Sequence, residues 1–288
     1  MSWETWCVRV TVIGVGRIGE ALVAGLCRAG TSAESITVVG RSMERTFDVA
    51  HRHGVRVADL RNLPGECDVL VVAVKPQQIE GVLTDLGSAL RGSALRPVVL
   101  SVVAGMPTNR IEQFLPSVVP VVRAMPNTPM TVGAAVTAIA RGAGATEHDL
   151  RLVESVLESV GEVLRVPEDQ LDAVTAVSGS GPAYVFLVAE MMIDAAMTLG
   201  LDRVTADRLV TGTLAGSSAM LGVGDVGPVQ LRAAVTSPAG TTAAALEVFE
   251  QSDIRRTFRG ALTAARDRSV ELSGVGRPPL TPASADQH

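Results

Sequence analysis

A chain of 288 residues exceeds what one hydrophobic core usually holds, so two domains are expected. Hydrophobic residues at 47% and charged residues at 19% exclude a disordered chain. A net charge of -5 with only 3% aromatics excludes a nucleic-acid surface made of basic patches and stacking rings.

The first half alternates short β-rich runs with helical patterns. Cys7–Ile13 reads as a strand, Arg17–Ala29 as a helix closed by Gly30, and Ile36–Val39 as a second strand. Further strands are expected at Val55–Val57, Asp68–Val74, Val98–Val103 and Val118–Arg123, with helices at Ser42–His53, Gln77–Leu90 and Thr108–Phe114 between them. Strands that are apolar nearly throughout, separated by helices, predict a doubly wound parallel α/β sheet covered on both faces. Val132–Ile139 and Val163–Val166 flank a helix at Glu147–Val160 and extend that sheet.

After Pro167 the β signal stops, and Leu171–Val177, Pro182–Leu199, Val204–Leu221, Val229–Thr236, Thr242–Phe249 and Ile254–Leu272 all read as helical. The expected division is therefore residues 1–166, an all-helical domain over 167–273, and a disordered tail over 274–288 that carries Pro278, Pro279 and Pro282. Pro182–Leu199 is apolar around most of its circumference, which predicts burial on several sides, with a subunit interface as one way to supply it. The mean hydropathy of +0.32 raises the question of a membrane. Within Pro182 to Leu201, however, Glu190 and Asp194 stand one helical turn apart. Mid-span carboxylates cost roughly 2.5–3.5 kcal/mol each on insertion, so a buried helix is expected and no membrane contact.

Met1-Ser2-Trp3-Glu4-Thr5-Trp6 lacks the basic start and apolar run of a secretory signal, so a cytoplasmic location is expected. Cys7, Cys27 and Cys67 form no CxxC and read as small buried hydrophobes in a reducing compartment. His51 and His53 share a charged stretch, while His148 and His288 stand alone, so no metal site is expected.

Ile13-Gly14-Val15-Gly16-Arg17-Ile18-Gly19 ends the first strand and opens the first helix. Glycines at that spacing permit a tight turn and close backbone approach, which places a dinucleotide pyrophosphate at the helix N-terminus. NAD-specific sites carry an acid at the end of the second strand. Here that end reads Val39-Gly40-Arg41-Ser42, and Arg41 with Ser42 suits the 2′-phosphate of NADPH, leaving NADH possible. The alternative makes Arg41 a solvated surface arginine. Lys75, within Val74-Lys75-Pro76, is the sole lysine among 25 basic residues and sits at a strand's C-terminal end, where such sheets bind ligands. It reads either as a cofactor contact or as a chance survivor of an arginine-rich composition. Val102, Ala104 and Gly105, together with Asn127 in Arg123-Ala124-Met125-Pro126-Asn127-Thr128-Pro129, end the next strands on the same edge. Small residues there let a flat ring lie against backbone, and Asn127 suits a carboxamide.

Two polar helix starts mark the helical domain. Ser178-Gly179-Ser180-Gly181-Pro182 leads into the long apolar helix, where Ser180 reads as an N-cap. Val235-Thr236-Ser237-Pro238-Ala239-Gly240-Thr241-Thr242 leads into another and gathers hydroxyls, a glycine and unpaired amides at a helix N-terminus, a site suited to a carboxylate. That stretch, with Pro228-Val229-Gln230-Leu231 before it and Ala245-Leu246-Glu247 after, closely resembles the signature segment of the pyrroline-5-carboxylate reductase family. GVGRIG, AVKPQ, SVVAG, RAMPNTP, AVSGSGPAY and LGLDRVTADRLV extend the resemblance over nearly the whole chain, in order and with compatible spacing.

The resemblance implies a Rossmann-like N-terminal domain, an all-helical dimerisation domain, commonly a decamer of five dimers, and NAD(P)H-dependent reduction of the cyclic imine 1-pyrroline-5-carboxylate to L-proline. Substrate would sit between one subunit's cofactor and the dimeric helical layer. By the same resemblance Ser237 and the amides of Gly240 and Thr241 hold the substrate carboxylate, and Thr242 offers its hydroxyl to the imine nitrogen. Asp225 falls where the family often has an acid, and Ser180 joins the substrate-side set. Hydride addition to a protonated imine asks little beyond alignment, which agrees with the lack of a catalytic-looking histidine or cysteine. Two positions depart from the family. Ala239 stands where a glycine is usual, which strains the loop if φ is positive there, and Gly212 replaces a longer polar side chain. A β-hydroxyacid dehydrogenase-like protein shares the plan but relies on a lysine in its helical domain, and this chain has none after Lys75. A non-catalytic NADPH-binding sensor would keep GVGRIG and need neither Thr242 nor the carboxylate loop.

Overall fold

The structure, a computed structural model, describes residues 8–274. Runs of valine, isoleucine and leucine build its centre. All four residues are buried in each of β1 (Val10–Ile13), β2 (Ile36–Val39), β4 (Val69–Val72) and β5 (Val98–Ser101). With β3 (Arg56–Val57), β6 (Val121–Met125), β7 (Ala135–Arg141) and β8 (Gly161–Arg165) they form one sheet in the order β3-β2-β1-β4-β5-β6-β7-β8. Neighbours run parallel except β6 and β7, which are antiparallel. The chain steps from β1 outward to β2 and β3, then returns to place β4 on the other side of β1. The C-terminal end of β1 is therefore the point where strand order reverses, and such crevices bind ligands.

Alternation along the strands sorts the core into two layers. Val10, Val12, Val69 and Val71 face α1 (Arg17–Arg28), α2 (Met43–His53) and α5 (Glu147–Leu157), whereas Ile13, Leu70, Val72 and Val99 face α3 (Ile79–Arg91) and α4 (Thr108–Glu112). Local signals set the helix ends. Ser42 caps α2, Gly54 stops it with a left-handed φ of 69°, and Thr146 with Asp149 forms a capping box on α5.

The chain divides into two compact units, residues 8–179 with 265–274, and Ser180–Ala264. This differs from the boundary read at residue 166, because the segment after Pro167 is tied to the sheet. Leu171, at the start of α6 (Leu171–Val174), is fully buried against Ala138 and Ala140. Glu168 accepts from the Thr108 amide at 2.7 Å and its hydroxyl at 2.6 Å, and pairs with buried Arg123 at 3.3 Å. Ser269, near the end of α11 (Ile254–Ser273), donates to Asp172 at 2.7 Å within the same unit. The tail expected to be disordered lies, beyond Gly274, outside the described residues, as does Cys7.

The second unit holds α7 (Gly181–Thr198), α8 (Arg203–Gly222), α9 (Pro228–Ala234), α10 (Thr241–Gln251) and the first part of α11. Asp202 caps α8 by accepting from the Thr205 amide at 3.0 Å. Despite its apolar circumference, α7 has no buried residue, and Phe186 is 67% exposed. The stretch Glu168–Thr198 is long and apolar enough to cross a membrane by length and composition, and it carries Glu190 and Asp194 in α7. One chain thus leaves uncovered the faces that its hydrophobicity marks for burial, and a second copy supplies such cover at least cost in new sequence. The purified protein is expected to sediment as a dimer or larger at low micromolar concentration; a stable monomer would refute this use of α7.

Candidate functional site

The turn after β1 is shaped by three glycines in three different ways. Gly14 has φ +102°, and a Cβ there would stand 2.5 Å from the Ala73 carbonyl oxygen. A Cβ on Gly19 would run into the Gly14 carbonyl, so α1 presses directly on the turn. Gly16, by contrast, has nothing within 4 Å of its Cβ position, and it is the N-cap of α1 with no side-chain hydrogen bond. The result is an open cradle at a helix N-terminus, lined by first-turn amides that no side chain caps. A dinucleotide's diphosphate fits this geometry and its charge. The Gly14 amide donates to Val39 at 2.8 Å and the Ala73 amide to Ile13 at 2.8 Å, which ties the ends of β1, β2 and β4 together.

The other residues expected on this side fall on the same sheet edge. Val15 is buried and Ile18 half-buried behind the turn, while Arg17 is exposed. Gly40 admits no side chain, since a Cβ would strike Thr46 Oγ1. Arg41 is exposed and engaged by no ion pair among the described residues. Ser42 Oγ accepts from the Arg45 amide at 3.4 Å as the cap of α2. Val74 is half-buried, and exposed Lys75 precedes Pro76, which opens a short 3₁₀ turn closed by the Gln78 amide on Lys75 O at 2.9 Å. Val102 and Ala104 are half-buried, and Gly105 has φ +76°. Asn127 Oδ1 accepts from the Val136 amide at 3.0 Å, which ties its side chain to β7 and leaves its amide NH₂ able to donate to a ligand.

The sequence reading missed Glu20. This half-buried carboxylate in the first turn of α1 is clasped by Arg45 and Arg52 of α2, with His53 Nε2 at 3.9 Å. Asp48 meets the same arginines at 3.1 and 2.8 Å, and Arg52 above all, then Arg45, holds its carboxyl below the usual range. Arginines at 45 and 52, two helical turns apart on α2, with an acid in the preceding helix, were the available signal. Burial raises the thiol pKa of both Cys27 and Cys67, which leaves neither poised as a nucleophile. Among the described residues no cluster of three or more His, Cys, Asp or Glu suits a metal ion.

The residues expected on the substrate side belong to the second unit, with Ser180 its first residue. Ser180 stands at the N-cap of α7, but its backbone is already helical (φ -86°, ψ -18°) and its hydroxyl makes no capping bond. The simple cap reading therefore fails. A π-helical turn, Thr175–Gly179, precedes Ser180 in the chain, and such turns recur at functional sites. Asp225 is exposed in the loop between α8 and α9, and Gly212 has open space around it.

At the start of α10 the chain folds tightly. The Gly240 amide donates to the Ser237 carbonyl at 3.1 Å, so it is not free for a ligand as expected. The missing side chain at Gly240 leaves room for Ser237 Oγ, which a Cβ there would strike. Gly240 caps α10 without a side-chain bond, leaving the first-turn amides of Thr241 and Thr242 without a side-chain acceptor. Ser237 and Thr241 are exposed and Thr242 is half-buried. One helix end thus gathers three hydroxyls and two amides, enough to hold a carboxylate and one further polar atom.

Comparison with known proteins follows both units. The pyrroline-5-carboxylate reductase dimerisation family matches residues 168–272, and the coenzyme F420-dependent NADP oxidoreductase family matches residues 9–105. The pyrroline-5-carboxylate reductase of Corynebacterium melassecola is 42% identical over 264 residues, 91% of this chain and 98% of its own. That of Mycobacterium tuberculosis is 43% identical over 284 residues, 92% of this chain and 96% of its own. The solved Coxiella burnetii pyrroline-5-carboxylate reductase superposes with a TM-score of 0.87 at 39% identity, covering 93% of this chain and 99% of its own. The Plasmodium falciparum pyrroline carboxylate reductase, solved with NADP bound, gives 0.81 at 29% identity over 94% and 100%.

Ala239, beside this helix end, adopts φ +56°. A left-handed alanine costs roughly 1–2 kcal/mol, against which glycine adds about 0.5–1 kcal/mol of unfolded-state entropy. Ala239→Gly is therefore expected to stabilise the protein by up to about 1 kcal/mol. Melting curves at matched protein concentration check this, and a lower melting temperature would show that the loop tolerates alanine without strain.

Proposed function

The chain belongs to the pyrroline-5-carboxylate reductase family and uses NAD(P)H to reduce 1-pyrroline-5-carboxylate to L-proline, and from that premise we propose how its residues divide the work. The observation that carries the proposal is the uncapped start of α10, with the Thr242 hydroxyl in its first turn. The carboxylate of the cyclic imine docks on the Thr241 and Thr242 amides and the Ser237 hydroxyl, where the positive helix end favours an anion. Anchored there, the ring is fixed in orientation, and the imine nitrogen meets the Thr242 hydroxyl, which orients it and relays to it the solvent proton that makes the iminium. No stronger acid is needed, because the iminium is already electrophilic. Asp225 and Ser180 lie further from this helix end in sequence and complete the substrate side.

When bound, the cofactor supplies the hydride that the imine carbon accepts. The Gly16 cradle with the Arg17 and Ile18 amides holds its diphosphate, Arg41 and the Ser42 N-terminus of α2 take the 2′-phosphate, and the Asn127 NH₂ donates to the carboxamide. Lys75 adds a compact positive charge at the same edge. NADPH is then preferred, with NADH usable. The protein is a homo-oligomer, and we assign it as a decamer of five dimers in the cytoplasm, free of membrane and nucleic acid; sedimentation that resolves ten copies from two tests the assembly.

Arg41→Ala should lower kcat/KM for NADPH by about 10-fold or more and leave NADH nearly unchanged, the value of one charge-assisted phosphate contact. Equal loss with both cofactors would reject the 2′-phosphate assignment. Thr242→Ala should lower kcat/KM for the imine by about 10- to 100-fold with little change in NADPH affinity. Thr242→Ser restores the hydroxyl and most of the rate, whereas Thr242→Val does not. Full activity in Thr242→Val, with its melting temperature as control, would remove Thr242 from the chemistry.

A further inference from the structure

The clasp between α1 and α2 joins the two phosphate-facing helix starts. Ser42, the N-cap of α2, and Arg45 share that helix's first turn, since the Arg45 amide donates to Ser42 Oγ at 3.4 Å. One helical turn rises about 5.4 Å, so an arginine at 45 reaches the space in front of Ser42 without backbone movement. In this structure its half-exposed guanidinium points instead to Glu20, in the first turn of α1, and to Asp48 at 3.1 Å. Arg41 has no such carboxylate partner among the described residues. The two arginines beside the α2 N-terminus therefore differ: one is free and one is held.

We propose that Arg45 is a second cation of the 2′-phosphate subsite, and that Glu20 sets cofactor selectivity by competing with the phosphate for it. The inference rests on the assignment of the 2′-phosphate to Arg41 and Ser42. A phosphate dianion at the α2 N-terminus offers more charge and more acceptor oxygens than one carboxylate, so Arg45 turns to it when NADPH binds. Glu20 is only 18% exposed and would be costly to leave unpaired, but Arg52 stays on its other oxygen throughout. Asp48 likewise keeps Arg52 at 2.8 Å. The exchange thus strands no charge. NADH lacks the phosphate and leaves Arg45 on Glu20, so the clasp remains closed. Glu20 makes NADPH binding weaker than two free arginines would allow and narrows the preference over NADH.

Calorimetric titration of the full-length protein with NADPH, NADH, 2′,5′-ADP and 5′-AMP tests this without turnover. Arg45→Ala should weaken NADPH and 2′,5′-ADP by about 10-fold while NADH and 5′-AMP stay within about twofold. Glu20→Gln should tighten 2′,5′-ADP relative to 5′-AMP by about threefold or more, and that gain should vanish in Glu20→Gln combined with Arg45→Ala. Ratios taken within each variant cancel any loss of folded protein. If Arg41→Ala lowers the 2′,5′-ADP to 5′-AMP preference but Arg45→Ala does not, the proposal falls and the subsite stands. If neither variant changes it, both fall. A Glu20→Gln protein that binds 2′,5′-ADP no better relative to 5′-AMP also overturns the role of Glu20.

Discussion

Backbone touches backbone at the end of β1, and the rest of the sheet edge depends on that contact. Gly19 rests on the Gly14 carbonyl, Gly14 lies against the Ala73 carbonyl, and hydrogen bonds from the Gly14 amide to the Val39 carbonyl and from the Ala73 amide to the Ile13 carbonyl link the corner. Any side chain at either glycine would push α1 away from the sheet or β4 away from β1. The three strand ends are then held in register around one open position, Gly16, and a charged ligand meets fixed amides rather than mobile side chains. Preorganisation here comes from excluded volume more than from any added bond.

The helical unit obeys the opposite logic. Its helices carry few buried side chains of their own: α7, α9 and α10 have none, and α8 buries Ala206 and Val210. Phe186, Leu187, Met191 and Leu209 are each more than half exposed. Covering such a side chain fully contributes about 1.5–3 kcal/mol, so the unit's cohesion is tied to self-association. Folding and assembly are therefore coupled, and apparent stability depends on protein concentration.

Most strands and helices were legible because their signals are local: β-branched runs, Ser42 and Asp202 as caps, Gly54 as a stop. The antiparallel course of β7 was not, since hydrophobic pattern carries no direction. The packing of residues 167–179 against the sheet is likewise not encoded in the pattern, although the dimerisation family match begins at 168, next to the boundary read at 166. A helical segment joins whichever partner buries it, and Leu171 meets Ala138 and Ala140 of the sheet. At the site, the glycine turn was readable because its constraint lies within six residues. The strain foreseen at Ala239, if φ were positive, appears at φ +56°. Asn127 bonding Val136, the Gly240 amide spent on Ser237 and the clasp on Glu20 depend on side-chain reach and loop closure, which no spacing rule encodes.

Lys75 carries a consequence of another kind. It is the sole lysine of the chain, it is exposed, and it stands at the strand edge beside the glycine turn. Acylating and imidoester reagents attack primary amines and spare guanidinium groups. The side chains therefore offer such reagents one address, next to the dinucleotide cradle. Every copy in an assembly accepts a single side-chain label at an equivalent place, so a fluorophore or cross-linker there reports symmetry and distance without engineered cysteines. An arginine-rich composition has turned a common surface residue into a unique coordinate.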